Sequence, residues 1–181
     1  MYLFIGIIAF IVIALIFLWV IYNKLIAARE SVKEALGGID VQLKKRFELI
    51  PQLVEIVKGY SSYEEDMFKK VTSMRTAGSD DISQIAKEDA GLNLVSHSLK
   101  VTVENYPDLK ANEHFLELMR ELAKIEDELA MSRRYLNGTI RDYNTAIGIF
   151  PNNLLAGTFG FIERSFYEIE SFEREPQKIF E

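Results

Sequence analysis

The apolar residues of this chain form one unbroken block and then settle into a rhythm of three and four. The block is residues 1–22, MYLFIGIIAFIVIALIFLWVIY, which holds no acidic or basic side chain; the first charge on a side chain is Lys24. As a helix rising about 1.5 Å per residue it measures about 33 Å, enough to cross a hydrocarbon core of about 30 Å. Fifteen of its residues are Leu, Ile, Val or Phe, and at roughly 0.3–0.6 kcal/mol each they favour insertion by about 5–9 kcal/mol. A cleaved signal peptide and a buried core helix are the alternatives, and neither fits well. A signal would open on a basic segment and close on a small-residue cleavage site, whereas Tyr2 follows Met1 directly and Ala27-Ala28 lie beyond Lys24. The block is therefore expected to be a membrane anchor, with Trp19 and Tyr22 at one interface and Tyr2 at the other.

After the block the rhythm takes over. Leu25, Ala28, Val32 and Ala35 or Leu36 continue the helix past the bilayer, until Gly37-Gly38, at about 1 kcal/mol per glycine relative to alanine, predicts a hinge or a turn. Ile39 to Ala77 reads as one long helix on the stripe Ile39, Leu43, Phe47, Ile50, Val54, Val57, Met67 or Phe68, Val71 and Met74, kinked at Pro51. Gly78 is a stop, and Ser79, Asp80 or Asp81 caps the next helix, Ile82 to Val103. Tyr106-Pro107-Asp108 closes that helix, and Asn112 caps another that carries the cleanest stripe in the chain, from Phe115 to Ile147. Phe150-Pro151 ends it, a loop with a short helical turn at Asn153 to Ala156 follows, and helical spacing returns in Phe159 to Phe172. No stretch alternates as a strand does. The expected fold is all-α: an N-terminal transmembrane helix (1–22), a juxtamembrane helix and Gly-Gly hinge (23–38), and an elongated, coiled-coil-like, up-and-down helical bundle (39–181).

Charge sharpens this picture. The 21 basic and 27 acidic residues all lie beyond the block, and the net charge of −6 argues against nucleic acid as a partner, which would call for a basic face. Without cysteine there is no disulfide framework, thiolate nucleophile or cysteine metal site. Lys24, Arg29 and Lys33 follow the block closely, so the positive-inside rule places the C-terminal domain in the cytoplasm of a cell (inner) membrane protein.

The run Ile39-Asp40-Val41-Gln42-Leu43-Lys44-Lys45-Arg46, continuing through Leu49-Ile50-Pro51 and Leu53-Val54-Glu55 to Val57-Lys58-Gly59-Tyr60, resembles the signature of the LemA family. Tyr106-Pro107-Asp108-Leu109-Lys110-Ala111-Asn112 with Phe115, then Arg141, Tyr143-Asn144, Ile147, Phe150-Pro151 and Gly160-Phe161, resembles that family's C-terminal half, as Tyr22-Asn23 resembles the end of its anchor. The resemblance implies one N-terminal membrane helix carrying a helical bundle, in a family without a securely assigned molecular activity, and it brings no catalytic residues. At Leu36-Gly37-Gly38 this sequence departs from the tryptophan and serine common in the family.

A search for reactive chemistry returns little. A di-iron carboxylate site in a bundle needs Glu-x-x-His pairs, and neither His97 nor His114 has Glu three residues before it. No Gly-x-Ser-x-Gly or phosphate-loop pattern occurs. The expectation is therefore no enzyme, no cofactor and no metal site. Lys44-Lys45-Arg46 reads as an exposed, salt-bridged face, with Glu48 four residues after Lys44. Asp40, Arg46, Tyr60, Arg133, Tyr143 and Asn144 recur in the apolar register and read as internal ties, in which a buried ion must be paired. Beside the stripe that carries Phe166, the off-stripe Phe161, Tyr167 and Phe172 give the C-terminal segment more apolar surface than one bundle face needs, which points to burial on two sides or to a partner, with all four as candidate interaction residues. The function expected is that of a self-associating scaffold at the bilayer, a homo-oligomer with protein partners. A bundle-core enzyme or ligand sensor and an externally facing surface protein are the rivals.

Overall fold

The computed structural model describes residues 1–59 and 81–168. Among these residues there are five helices and no strand: α1 (Tyr2–Lys58), α2 (Ile82–Asn105), α3 (Pro107–Lys110), α4 (Glu113–Gly148) and α5 (Asn152–Thr158). They belong to two compact units, one of Met1–Gly37 with Arg134–Phe166, the other of Gly38–Arg133 with Tyr167–Glu181.

Helix α1 runs through Gly37-Gly38 without interruption, so of the hinge or turn expected there the turn is absent, and the two units divide between these same glycines. Its buried positions Val32, Ala35, Leu36, Ile39 and Leu43 keep one helical phase across the glycines. Burying a Leu or Ile side chain contributes about 1.5–3 kcal/mol, so the flanking Leu36 and Ile39 outweigh the glycine penalty of about 2 kcal/mol. The helix carries Pro51 and ends at Lys58, where the Gly59 amide donates to the Ile56 carbonyl at 3.1 Å. The remainder of the stretch expected to be helical as far as Ala77, with Tyr60, Val71, Met74 and Gly78, lies outside the described residues.

In the second unit the caps fall where local chemistry asks for them. Asp81 accepts from the Ser83 amide at 2.9 Å and opens α2, and Asn112 accepts from the Phe115 amide at 3.0 Å and opens α4. Tyr106 is extended, as the residue before a proline prefers, and Pro107 starts α3. The bundle core draws on Ile39, Leu43, Ile50, Leu53 and Val57 of α1, on Ile82, Ile85, Leu92 and Leu99 of α2, and on Phe115, Leu122 and Leu129 of α4. Asp89 meets Arg133 and Lys100 meets Glu126, so α2 and α4 run antiparallel.

In the first unit Leu25 and Val32 of α1 are buried, as are Leu136, Ile140 and Tyr143 of α4. Helix α5 closes with Gly160 at φ 70° and with the Phe161 amide donating to the Ala156 carbonyl at 2.9 Å. This is a Schellman-type C-terminus, whose left-handed residue is almost always glycine. The chain then runs without helix from Phe161 to Glu168, which corrects the helix expected over Phe159 to Phe172; residues 169–172 lie outside the described ones. The reason is visible in the backbone accounting. The Tyr143 hydroxyl donates to the Ile162 carbonyl at 3.0 Å. The Asn144 amide brackets Arg164, donating to its carbonyl at 2.8 Å and accepting from its amide at 2.9 Å. Side chains of α4 thus take the backbone bonds that a helix would have used internally. Burial, the largest influence, raises the pKa of the Tyr143 phenol, so its hydroxyl stays a donor.

Candidate functional site

Four seam positions of the second unit are occupied by polar side chains. On α1 the steps Ile39, Leu43, Arg46, Ile50, Leu53, Val57 keep the coiled-coil spacing with an arginine inside it; on α2, Ile82, Ile85, Asp89, Leu92, Ser96, Leu99 do the same with an aspartate and a serine. On α4 the seam passes from Leu129 to Leu136 through Arg133. Arg46, Asp89 and Ser96 are buried, and the Arg133 side chain is only 19% exposed.

These residues meet. Arg46 Nη1 donates to Asp89 Oδ1 at 2.9 Å, and Nη2 donates to Asn93 Oδ1 at 2.9 Å and to Ser96 Oγ at 3.0 Å. The same Nη2 lies 3.6 Å from Glu126 Oε1, whose other oxygen pairs with Lys100 at 3.1 Å. Asp89 Oδ2 is shared between Arg133 Nη2 and the Tyr167 hydroxyl, which donates to it at 2.6 Å. The Arg133 guanidinium also stands 5.9 Å from the centre of the Tyr167 ring, within cation–π range. Lys45 and Glu128 add a surface pair at 3.3 Å.

The electrostatics follow from burial. Loss of solvent lowers the Arg46 pKa, with Asp89 and then Glu126 opposing that effect and Arg133 adding to it. Burial, then the charge of Asp89 and its hydrogen bond, push the Tyr167 phenol far above its ordinary value, so it is a neutral donor at any physiological pH. Arg46 and Arg133, with Lys100 at the edge, face Asp89 and Glu126, so each buried charge has a counter-charge. Breaking such a buried pair costs about 3–5 kcal/mol, whereas replacing the whole set by apolar residues of similar volume is often neutral. The cluster also holds Tyr167, 78 residues along the chain from Asp89, on the same unit.

The LemA family model matches residues 35–180. The chain belongs to the LemA family. Protein LemA of Metamycoplasma hominis is 24% identical over 155 residues, an alignment covering 84% of this chain and 71% of that one. Magnetosome protein MamQ of Magnetospirillum gryphiswaldense is 23% identical over 183 residues, covering 86% of this chain and 65% of its own length. Magnetosome protein MamQ 2 of Paramagnetospirillum magneticum is 22% identical over 175 residues, covering 81% and 64%. This chain therefore spans a little under two thirds of the length of the magnetosome relatives.

In this LemA-family chain the residues marked from sequence separate. Arg46, Arg133 and Tyr167 come together on Asp89. Asp40 does not join them: it is exposed, not an internal tie, because the seam turns through Ile39 and Leu43 and leaves position 40 facing outward. Lys44 and Lys45 are exposed, but Arg46 corrects the reading of all three as one solvated face. The core position there is Arg46 and not Phe47, which is only half-buried. Phe161 is buried in the first unit, its ring 6.1 Å from that of Tyr22 and 5.5 Å beneath the Arg29 guanidinium. Phe166 and Trp19 are exposed, Tyr22 is at the edge of exposure, and Phe172 lies outside the described residues. His97 and His114 are exposed, and among the described residues no three His, Cys, Asp or Glu side chains gather as a metal site would require. Asp89, Asn93, Ser96 and Glu126 were missed. The signal for Asp89 was available, since it stands four residues after Ile85 and three before Leu92, in seam register on α2.

Proposed function

We propose that this chain is a single-pass, membrane-anchored helical scaffold: residues 1–22 span the bilayer and the helical domain, on the cytoplasmic side, self-associates and holds protein partners there. The observation that carries the reading is the exposure of the apolar start of α1. From Met1 to Val20 every residue is exposed except the half-buried Ala14, on a helix long and apolar enough to cross a membrane. A core helix would have buried that face; this one needs lipid to cover it. The same helix continues into the domain as far as Lys58, so a partner bound there is tethered to the anchor.

The charged cluster supports holding over reacting. Both Asp89 oxygens are engaged by guanidiniums and a phenol, and the neutral Tyr167 serves as a donor, which leaves neither group poised to take a proton from a substrate. Self-association is supported by Leu94 and Val101, exposed and seven residues apart on α2, a spacing that lines one helix face.

Two measurements test the reading. The chain has no cysteine, so a cysteine placed at the exposed His97 reports sidedness alone. Labelling of intact cells by an impermeant maleimide would refute the cytoplasmic placement, and labelling only after permeabilisation is the expected result. Light scattering of the full chain in detergent is expected to show an oligomer; a monomer across concentrations would refute self-association.

A further inference from the structure

The corner that joins α4 to α5 carries apolar surface that the fold does not cover. Between Asp142 and Glu163 the chain has no charged residue. Within that run Phe150 is 78% exposed, Leu154 65% and Ile162 72%, and Ile149 and Phe159 are exposed as well. The outward placement is built in. Asn152 is buried and donates to the Ala146 carbonyl at 2.9 Å, Ala156 is buried, and the Ile162 carbonyl is held by Tyr143. With the inner face of α5 spent on these contacts, its outer face and the flanking phenylalanines turn to the outside.

What covers this patch is indicated by where it sits. The Phe159 ring lies edge-on to Tyr22, 5.0 Å between centres, and Phe161 packs on the same tyrosine. Tyr22 is the last residue of the apolar block, two positions before Lys24. On the reading that residues 1–22 span a bilayer, Tyr22 stands at the boundary of hydrocarbon and headgroups, the usual level of interfacial aromatics. The corner stands beside it. Arg29, paired with Glu30, stands over Phe161, and the exposed Glu163 and half-buried Arg164 follow Ile162.

We propose that the α4–α5 corner is a second membrane contact, in which Phe150, Leu154, Phe159 and Ile162 enter the interface of the leaflet from which the anchor emerges. Burial of such a face about 5–10 Å into the headgroup and acyl boundary is the habit of interfacial amphipathic segments. The contact gives the first unit a two-point attachment, one point spanning and one lying in the surface.

The test uses the full chain in vesicles of zwitterionic and anionic phospholipid carrying doxyl groups at shallow or deep acyl positions. The single tryptophan, Trp19, reports the anchor. A Phe150→Trp variant in a Trp19→Phe background reports the corner, and Tyr135→Trp in the same background is the control, since Tyr135 is exposed on α4 away from the corner. Expected are quenching of Trp19 in the unaltered chain and shallow-probe quenching of Phe150→Trp several-fold above that of Tyr135→Trp. Quenching of Trp19 with Phe150→Trp no better quenched than the control would overturn the proposal and leave the anchor standing. A blue-shifted but unquenched Phe150→Trp signal would do the same, and would mean that a second copy or another protein covers the corner. An unquenched Trp19 would overturn the anchor and the corner together.

Discussion

Replacing Asp89 by asparagine keeps the side chain's volume and removes the charge that two guanidiniums share. Arg46, buried and joined to Asp89 at 2.9 Å, would retain as counter-charge among the described residues Glu126 at 3.6 Å, which is already engaged by Lys100. Arg133 and the Tyr167 hydroxyl would share one neutral acceptor. Breaking a buried pair costs about 3–5 kcal/mol, and an amide oxygen recovers about 1 kcal/mol as an acceptor, so the expected loss is about 3 kcal/mol. Urea unfolding of the full chain in detergent, followed by far-ultraviolet circular dichroism, reads this as a fall in midpoint of about 1–3 M for slopes of 1–3 kcal/mol/M. Lys45→Ala, which breaks an exposed pair with Glu128, is the internal comparison and is expected to cost about 0–1 kcal/mol. The combined variant Arg46→Met, Asp89→Leu, Arg133→Met, Tyr167→Phe is expected to recover the stability lost by Asp89→Asn, since it leaves no buried ion without a partner. An Asp89→Asn loss no larger than that of Lys45→Ala would refute the reasoning, because it would mean the cluster is solvated.

Three further outcomes follow from the same geometry. Gly37→Ala with Gly38→Ala is expected to raise stability by about 1–2 kcal/mol in the same unfolding assay, as an added Cβ meets nothing within 4 Å at either position; a loss would mean the helix must bend there. Tyr167→Phe is expected to flatten the alkaline limb of the stability profile. The folded phenol holds its proton well above the unfolded value near 10, so its contribution is complete below about pH 10 and is lost as pH rises toward the folded value, at up to about 1.4 kcal/mol per pH unit. Unfolding midpoints between pH 9 and 11 with an unchanged slope in Tyr167→Phe would contradict the Asp89 contact. Asn144→Ala removes both bonds to the Arg164 backbone, and hydrogen exchange of the Arg164 amide is expected to quicken by roughly 5- to 30-fold, for a loss of about 1–2 kcal/mol; unchanged protection would show that the segment is held by other means.

Much of the architecture was readable from the order of residues because it rests on local and periodic effects. An uncharged block of bilayer length, caps at Asp81 and Asn112, and a stop at Phe150-Pro151 each act within a few residues, and α2, α4 and α5 begin and end close to where those signals stand. The turn allowed for at Gly37-Gly38 does not form because glycine's cost is local while the seam that overrides it, Leu36 and Ile39 among it, draws its energy from other helices. The segment after Gly160 failed for the converse reason: its 3-and-4 spacing is genuine, but a left-handed glycine ends α5, and Tyr143 and Asn144 capture the backbone beyond it.

The sequence alone determined that this chain is helical, that residues 1–22 are long and apolar enough to cross a membrane, and that ions in the apolar register, Asp40 and Arg133 among them, would need partners if buried. Which partner each buried ion has was a tertiary matter. Asp89 lies 43 residues after Arg46 and Tyr167 lies 78 residues after Asp89, and no periodicity within one helix states which face of another helix will stand opposite it. That pairing is chosen when the seams of α1, α2 and α4 interlock, since a buried charge tolerates only the arrangement in which its counter-charge arrives with it.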